Sequence, residues 1–468
     1  MPGLDEISED TGELRQPRAI QPLYSTPKPN AEIVLYDDLL EVQTDRGVSS
    51  RPGQLIYVWQ PRAALRVAAK LDFNVALMPW DEFKASFRLP NVGQFTDIIV
   101  EVAGTESATQ EPSYGYLQGS SAGVIRAATA AMNRIVFHVP NFTSFAGSMV
   151  WYECEGSLEG NHGRATIQHP DWRILLDTTQ GFNYFRERDM QRGSGNGITH
   201  VGQITRPDNS DFTTAEAIKV LQQLSLWLSF TRGNWTAPIL SCGFTSDGSR
   251  VWEDWRSQRI EPPLPVSAWA DPNRVECFEL SFAGFCQRCS APGWSEPTAL
   301  AINWYVECCR ETSGLEAAII LSQNGLELLG WSYLVDDKRC CSAKTFDGFD
   351  GPKKIRRLLL QCGIPVEIPS QLRSLRSFAD ERGWSDGPAC LAYIRNALIH
   401  SRNHNRQFPT SIPKAVKQEI WTLGLWYLEL ALLRIFNYSG VYSNRLNQPT
   451  RRQPSTEPVP WTSLPSSP

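Results

Sequence analysis

The hydrophobic pattern of the sequence changes at Pro292, and this change restricts the folds available to the chain. Before Pro292, segments such as 55–59 and 135–139 combine β-branched and aromatic residues, and Gly, Pro, Ser and Asn separate them, as in β-strands joined by turns. After it, residues 299–310 and 315–335 carry apolar side chains at helical spacing and contain no proline. We therefore predict an α+β multidomain protein, with a β-rich N-terminal region that includes one or two helices and a C-terminal all-α bundle.

The chain length of 468 residues allows two or three domains with separate cores. We assign residues 31–290 to a β-rich sensor or regulatory region and residues 291–447 to a helical domain. Periodicity shows which residues face a core but gives no strand order. The sequence therefore leaves open whether the β-rich region is one domain or divides into 31–145 and 146–290.

Both ends of the chain have compositions typical of disordered segments. Residues 1–30 combine five acidic residues with five prolines and few large apolar side chains, so burial does little to offset the entropy of ordering. Residues 448–468 are rich in proline and serine. We predict a disordered tail at each of these ranges.

Charge and hydropathy exclude two classes of protein. A net charge of −5 and a pI near 5.8 exclude a uniformly basic nucleic-acid coat, so a nucleic-acid site must be a local patch. The most apolar run, 421–436, has 16 residues and includes Glu429 and Arg434, which makes it too short and too charged to span a bilayer. We expect no membrane contact. The lack of a secretory signal and the odd count of 11 cysteines favour the reducing cytoplasm.

Cys286 and Cys289 have the spacing of a zinc-binding pair, with the adjacent cysteines 308–309 and 340–341 as candidate partners. Adjacent cysteines point in different directions, and no histidines lie nearby in the sequence, so the set fits known zinc modules poorly. We favour free thiols and predict no metal and no cofactor.

One helix is predicted inside the β-rich region, at residues 213–231. Thr213 and Glu216 form a capping box, a wide apolar stripe follows, and Gly233 ends the helix. Aromatic residues are frequent here and just beyond, and they indicate either a core or a stacking surface for bases or sugars. They are Trp227, Phe230, Trp235, Trp252, Trp255 and Trp269.

Polar residues suited to RNA cleavage gather on a second predicted helix, 387–401. Its apolar stripe consists of Leu391, Ile394 and Leu398. Asn396 and His400 share another face because they are four residues apart, and Arg395 lies between the two faces. A histidine that titrates near neutrality exchanges a proton with a ribose hydroxyl or a leaving oxygen, and an arginine steadies charge on a phosphate. The five-residue separation turns Arg395 and His400 apart, so a single helix presents them poorly to one bond, whereas two copies that meet across a dimer would make a shared pocket.

The same residues also suit the end of an ordinary helix, where His and Arg interact favourably with the helix dipole. Four further cations follow and are candidates for binding the RNA backbone. They are Arg402, Arg406, Lys414 and Lys417. Glu327 is the one acid in an apolar run, and it either supports Arg395 or His400 or lies at the periphery. A run of cations at 353–357 is most simply a solvated face, and secondarily a surface for phosphates.

The last long helix, 412–437, is apolar around nearly its whole circumference, with Trp421, Leu425 and Leu428 on one side and Trp426 and Leu430 on others. Such a helix needs cover on more than one side. We expect it to be both the centre of the bundle and part of a homodimer interface.

Arg395, Asn396 and His400 form an R-N-x-x-x-H motif on the penultimate helix of a bundle, which resembles the signature of HEPN-domain ribonucleases. Other segments of the helical region also resemble bacterial HEPN proteins: 301–307, 319–321, 326–329, 354–356, 364–365 and 425–434. The order of a β-rich half before a HEPN bundle resembles ApeA-like abortive-infection proteins. The HEPN likeness covers about a third of the chain.

This resemblance implies a metal-independent endoribonuclease that acts in a toxin or antiviral system on tRNA or other RNA. It implies a homodimer through the HEPN domain, with Arg395 and His400 of both subunits around one phosphodiester and Asn396 assisting. We expect the β-rich region to sense a trigger, such as a phage product, or to restrain the nuclease. The alternatives are a non-catalytic protein that binds RNA or assembles on sensing a trigger, and a β-rich half whose main task is binding a glycan or a phage protein.

Overall fold

The computed structural model divides the chain into two compact units. The β unit holds residues 1–225 and 235–263, and the helical unit holds residues 226–234 and 264–468. The structure describes residues 16–44, 47–60, 62–70, 82–90, 93–101, 114–119, 131–154, 156–193, 195–310, 314–399, 412–447 and 456–462. The predicted order of a β-rich part followed by a helical part is confirmed. In these ranges no helix has the length and apolar character needed to cross a membrane.

The first strands of the β unit form a closed barrel in the order β1-β2-β3-β6-β5-β4. The strands are β1 (Ile33–Thr44), β2 (Gly47–Val58), β3 (Ala64–Lys70), β4 (Glu82–Leu89), β5 (Gly93–Glu101) and β6 (Tyr114–Gly119). Large side chains such as Leu40, Leu55, Tyr57 and Phe87 are buried in one apolar cluster, which explains the β-branched and aromatic content of this region.

A seven-stranded antiparallel sheet follows, in the order β15-β14-β8-β12-β11-β10-β9. Its strands are β8 (Arg134–Pro140), β9 (Ser148–Cys154), β10 (Ser157–Gln168), β11 (Arg173–Thr178), β12 (Ile198–Thr205), β14 (Ile239–Phe244) and β15 (Arg250–Asp254). The short strands β7 (Ala131–Met132) and β13 (Phe212–Thr213) pair with each other. Central strands such as β8 and β14 have both faces buried, and their sequences are accordingly almost entirely apolar.

Two helices accompany the sheet: α1 (Tyr184–Gly193) and α2 (Thr214–Arg232). The capping box before α2 is confirmed, because the Glu216 carboxylate accepts the Thr213 amide at 2.8 Å while the Thr213 hydroxyl accepts the Glu216 amide at 3.3 Å. Gly233 adopts φ +65° and ends the helix as predicted. Helix α1 was not predicted, since its sequence is almost entirely polar.

Residues 16–30 correct the predicted extent of the N-terminal tail. The Ile20 amide donates to the Asp177 carboxylate, and the Leu23 and Tyr24 amides donate to His138 Nε2 at 3.0 and 3.1 Å. These bonds satisfy the backbone of a segment too poor in apolar residues to order by burial alone. The part of the predicted tail before residue 16 lies outside the described ranges.

Within its described residues, the helical unit contains nine complete helices in addition to residues 226–232 of α2. They are α3 (Glu276–Glu279), α4 (Phe282–Ser290), α5 (Ser295–Arg310), α6 (Gly314–Trp331), α7 (Ala343–Asp347), α8 (Gly351–Cys362), α9 (Arg373–Asp380), α10 (Gly387–Ile399) and α11 (Lys414–Ile435). We predicted a helix that continues to residue 335. The regular α-helix α6 ends earlier, and Ser332–Asp337 form a wider, π-helical turn.

Helix α11 is the centre of this unit, since residues 423–433 are all buried. Gly424 lets the helices approach closely: a Cβ there would lie 2.6 Å from Ser322 Oγ of α6 and 3.2 Å from Leu391 Cδ1 of α10. Packing within the chain therefore accounts for the apolar circumference of α11. This helix no longer argues for a second subunit.

Part of the predicted C-terminal tail is also ordered. Strand β16 (Val441–Ser443) pairs with β17 (Thr456–Pro458), and the turn Pro460–Thr462 buries Trp461, whose Nε1 donates to the Tyr438 carbonyl at 2.8 Å. Burial of the Trp461 indole, whose N–H has a hydrogen-bond partner, stabilises a segment whose composition predicted disorder. The prediction is therefore wrong for residues 456–462, and residues 448–455 and 463–468 lie outside the described ranges.

Candidate functional site

Helix α10 is held firmly at its N-terminus. The Asp386 carboxylate accepts the Ala389 amide at 2.9 Å and pairs with Arg356 of α8, whose Nε donates to it at 2.6 Å. Further along, Leu391 and Ile394 are fully buried and Leu398 is half-buried, which confirms the predicted apolar stripe. The cap and the stripe together fix which residues of α10 point away from the core.

Arg395 is half-buried on this helix, and its guanidinium is only loosely held. Nη1 donates to the Asn396 side-chain oxygen at 3.2 Å, and Nη2 donates to the Asn324 side-chain oxygen of α6 at 3.4 Å. Nε is buried, and no described residue accepts a hydrogen bond from it. No carboxylate forms an ion pair with Arg395 within the described residues. The guanidinium thus keeps donors available for an anion.

Asn396 is exposed, and its side-chain oxygen accepts a hydrogen bond from Arg395 Nη1. His400, Arg402 and Arg406 lie outside the described residues, so their predicted roles stay predictions. The structure places two of the three motif residues side by side on the surface of the unit.

Glu327 lies on α6, one turn beyond Asn324. Its Oε1 accepts from Gln323 Nε2 at 2.6 Å, and a Cβ added to Gly351 of α8 would lie 3.6 Å from the same oxygen and 3.3 Å from Ala392 Cβ of α10. Glu327 therefore sits where α6, α8 and α10 meet. It makes no bond to Arg395.

Asn324 is the contact that sequence reasoning missed. The signal was the polar run 322–324 inside an otherwise apolar helix, of which Ser322 and Gln323 are buried at 0% and 1% exposure. Polar residues placed at such depth are usually hydrogen-bonded, and Gln323 Oε1 has no partner here. A buried amide oxygen and a buried guanidinium nitrogen without partners thus occur on neighbouring helices.

The two predicted backbone-binding lysines of α11 differ in their surroundings. Lys414 is exposed at the first residue of the helix. Lys417 Nζ donates to Glu316 Oε1 at 2.8 Å, and this bond lowers the pKa of the Glu316 carboxyl. The charge of Lys417 is therefore already compensated.

The aromatic side chains between residues 227 and 269 are buried in the protein interior and do not form a stacking surface. Trp227, Trp252 and Trp269 are fully buried, and Trp235 and Trp255 are at most 7% exposed.

Among the cysteines, burial raises the pKa of Cys289 to about 12, so it stays a thiol at neutral pH.

Comparison with known proteins gives two domain matches. Residues 127–266 match the family model described as the YopA central domain, and residues 291–456 match the one described as the YopA C-terminal domain. The chain is 26% identical over 414 residues to the SPbeta prophage-derived uncharacterized protein YopA of Bacillus subtilis (strain 168), a similarity that covers 87% of this chain and 90% of the relative. No solved structure matches the chain.

Proposed function

We propose that the helical unit is a HEPN-type, metal-independent endoribonuclease with its site at Arg395, Asn396 and His400. In the proposed reaction, a ribose 2′-hydroxyl loses its proton to a histidine and attacks the neighbouring phosphorus. The bond from phosphorus to the 5′-oxygen breaks, and that oxygen takes up a proton. The products are a 2′,3′-cyclic phosphate and a 5′-hydroxyl, with no metal or cofactor required.

The observation that carries this proposal is the state of Arg395. A half-buried guanidinium usually has a carboxylate partner, because an uncompensated charge is costly to desolvate. Among the described residues, Arg395 makes two long contacts to amide oxygens, and its buried Nε–H has no partner. A phosphate would satisfy these donors, and the guanidinium would then stabilise the charge that develops during cleavage.

Helical geometry favours a dimeric site. On an ideal helix, five residues turn Arg395 and His400 about 140° apart. One copy would therefore present them poorly to a single phosphodiester, whereas two copies meeting at α10 would supply one residue from each. The support for a homodimer is this geometry and the likeness to HEPN proteins.

The likeness to a prophage-derived protein supports a role in the contest between phage and host. In this proposal the chain acts in the cytoplasm, its substrate is tRNA or another RNA, and the β unit senses a phage-derived trigger or restrains the nuclease. The enzyme would then stop growth of the infected cell by cutting RNA.

Paired expression of wild type and His400→Ala in bacteria tests the activity. We expect new RNA ends with 5′-hydroxyl and 2′,3′-cyclic phosphate groups only with the wild type, because the variant lacks its general base. Arg395→Ala should reduce cleavage about 100-fold, the usual effect of removing one stabilising donor. RNA sequencing specific for these ends provides the measurement, without and with phage challenge.

The purified wild-type protein supplies the control. Cleavage should persist in excess EDTA, and a requirement for added magnesium would contradict the mechanism. Equal cleavage by wild type and His400→Ala at equal protein levels would overturn the assignment of the base. RNA binding by wild type without cleavage under any condition would favour the non-catalytic alternative.

A further inference from the structure

The outer face of α8 carries cations that no carboxylate neutralises. Lys353 and Arg357 are exposed and one turn apart, and Lys354 is half-buried beside them. Within the described part of the chain none of these three forms an ion pair, whereas Arg356 on the same helix pairs with Asp386. Uncompensated cations concentrated on one face produce a local positive potential in a chain of net charge −5.

An aromatic ring lies among these cations. Phe349, just before α8, is half-buried, with Lys353 Nζ 4.2 Å and Arg357 Cζ 5.9 Å from its ring centroid. The nearby Asp350 carboxylate caps α8 by accepting the Lys353 amide at 2.9 Å. Asp347 is a second, exposed acid at the end of α7, so the surface is not purely basic.

The N-terminal end of α8 lies near the candidate active site. Gly351, the first residue of α8, lies against Gln323 and Glu327 of α6 and against Ala392 of α10. Arg395 is on the next turn of α10, and its partner Asn324 is adjacent to Gln323. The loosely held guanidinium is therefore close to the end of α8 that carries Lys353.

We propose that Phe349, Lys353, Lys354 and Arg357, the α8 platform, bind single-stranded RNA and guide it to Arg395. This inference rests on the proposed function, because it names the surface that feeds the same site. The lysines and the arginine contact backbone phosphates, while the ring of Phe349 stacks on a base. Stacking needs an unpaired base, so a single strand binds better than a duplex, in which both base faces are covered.

The combination of cations with an aromatic ring on the platform favours single-stranded RNA over other anions. An acidic peptide would use the cations but would leave the ring of Phe349 without a matching group. Duplex RNA would use the cations alone, and its binding would not depend on the ring. The joint dependence on charge and ring is therefore the feature to test.

Fluorescence anisotropy with a labelled 2′-O-methyl RNA of about ten nucleotides measures binding without cleavage, because the probe lacks the attacking hydroxyl. We expect Lys353→Glu/Arg357→Glu to weaken binding at least 10-fold. The slope of log affinity against log salt concentration should fall by the equivalent of about two phosphate contacts. Phe349→Ala should weaken binding about 10-fold without changing the salt dependence.

The matched control is Lys219→Glu/Arg373→Glu, which makes the same change in charge at two exposed cations of α2 and α9. It should bind like the wild type. Equal loss in the control and platform variants would overturn the proposal, as would equal affinity of the wild type for duplex RNA or for an acidic peptide of the same charge.

Binding and cleavage can fail separately. If the wild type binds the probe through the platform but cuts no unmodified RNA, the platform stands and the proposed nuclease falls. If Lys353→Glu/Arg357→Glu cuts RNA with an unchanged KM, the nuclease stands and the platform falls. Arg395→Ala removes one phosphate contact at the active site, so it should weaken binding of the probe less than Lys353→Glu/Arg357→Glu does, and the remaining binding should still depend on Phe349.

Discussion

Two arginines of the helical unit illustrate different ways of placing a cation in a folded protein. Arg445 is buried, and its Nε donates to Glu429 Oε2 at 2.6 Å while the Tyr305 hydroxyl donates to the same carboxylate at 2.7 Å. Burial alone would lower the pKa of Arg445, but the charge of Glu429 beside it raises the pKa instead. Arg395 has no comparable partner in the ranges that the structure describes.

The contrast identifies which of the two cations is available for function. Two part-buried arginines of the β unit follow the first pattern, in the pairs of Arg164 with Asp177 and of Arg256 with Asp254. Each of these arginines donates its hydrogen bonds to a carboxylate within the folded chain. Arg395 departs from the pattern, and that departure is why we assign it to a substrate.

Removing Glu429 should have the largest effect on this comparison. Glu429→Ala leaves Arg445 buried without a counter-charge, and we expect a loss of about 3–5 kcal/mol in the free energy of unfolding. Urea denaturation followed by circular dichroism provides the measurement. The double variant Glu429→Leu/Arg445→Met should recover much of the loss, because apolar side chains do not carry the desolvation cost. A single variant as stable as the wild type would show that the pair is not a structural partner.

A buried histidine tests the same rule, that a charge is costly to bury without a partner, because this side chain loses its charge instead of gaining a partner. His200 is enclosed by Phe142, Phe145 and Phe182 with ring centroids at 5.2–5.6 Å, and its Nε2 has no hydrogen-bond partner in the described part of the chain. Burial lowers its pKa from the ordinary 6.5 to about 3. Between these values the unfolded chain binds a proton that the folded chain does not, so the stabilisation is complete above pH 6.5 and is lost as the pH falls toward 3.

We therefore expect the free energy of unfolding to fall by about 3 kcal/mol between pH 7 and about pH 4.5 on account of His200. In His200→Phe the slope against pH should be smaller by up to one proton, whereas His162→Phe, at an exposed position, should leave it unchanged. Urea titrations at several pH values measure the slope. Equal slopes in wild type and His200→Phe would show that His200 takes up its proton without unfolding.

Arg395 should show the smallest effect on stability. Arg395→Met keeps the length of the side chain and removes only loosely held donors, so we expect the free energy of unfolding to change by less than about 0.5 kcal/mol. The same urea assay that detects the Glu429 effect gives the measurement. A loss near that of Glu429→Ala would remove the distinction between the two arginines and would make Arg395 a structural residue.

Local patterns predicted the parts of the molecule that local energetics determine. The capping box of Thr213 and Glu216, the glycine end of α2 and the buried stripe of Leu391 and Ile394 all follow from residues within two helical turns of each other. Such spacing is visible in one sequence. The order of the strands in the barrel and the sheet is not, because it depends on pairings between distant residues.

The missed features share this long-range origin. Asn324 meets Arg395 across 71 residues, and Arg445 reaches Ser267 across 178. Residues 16–30 have a disorder-like composition but bond to partners 114–157 residues later. Residues 456–462 pair with the nearby strand β16, and the Thr456 hydroxyl donates to Asp271 across 185 residues. The motif on α10 predicted which residue types to examine, but only the fold showed that the guanidinium of Arg395 lacks an acidic partner within the described residues.

The attachment of residues 16–30 also sets an order of events during synthesis. The Ile20 amide binds a carboxylate 157 residues later, and the Ile198 amide binds the Thr26 hydroxyl from 172 residues away. A ribosome releases the early segment long before it makes either partner. These two bonds therefore cannot form until strands β11 and β12 have emerged, so the early segment joins the seven-stranded sheet only after most of its strands have been made.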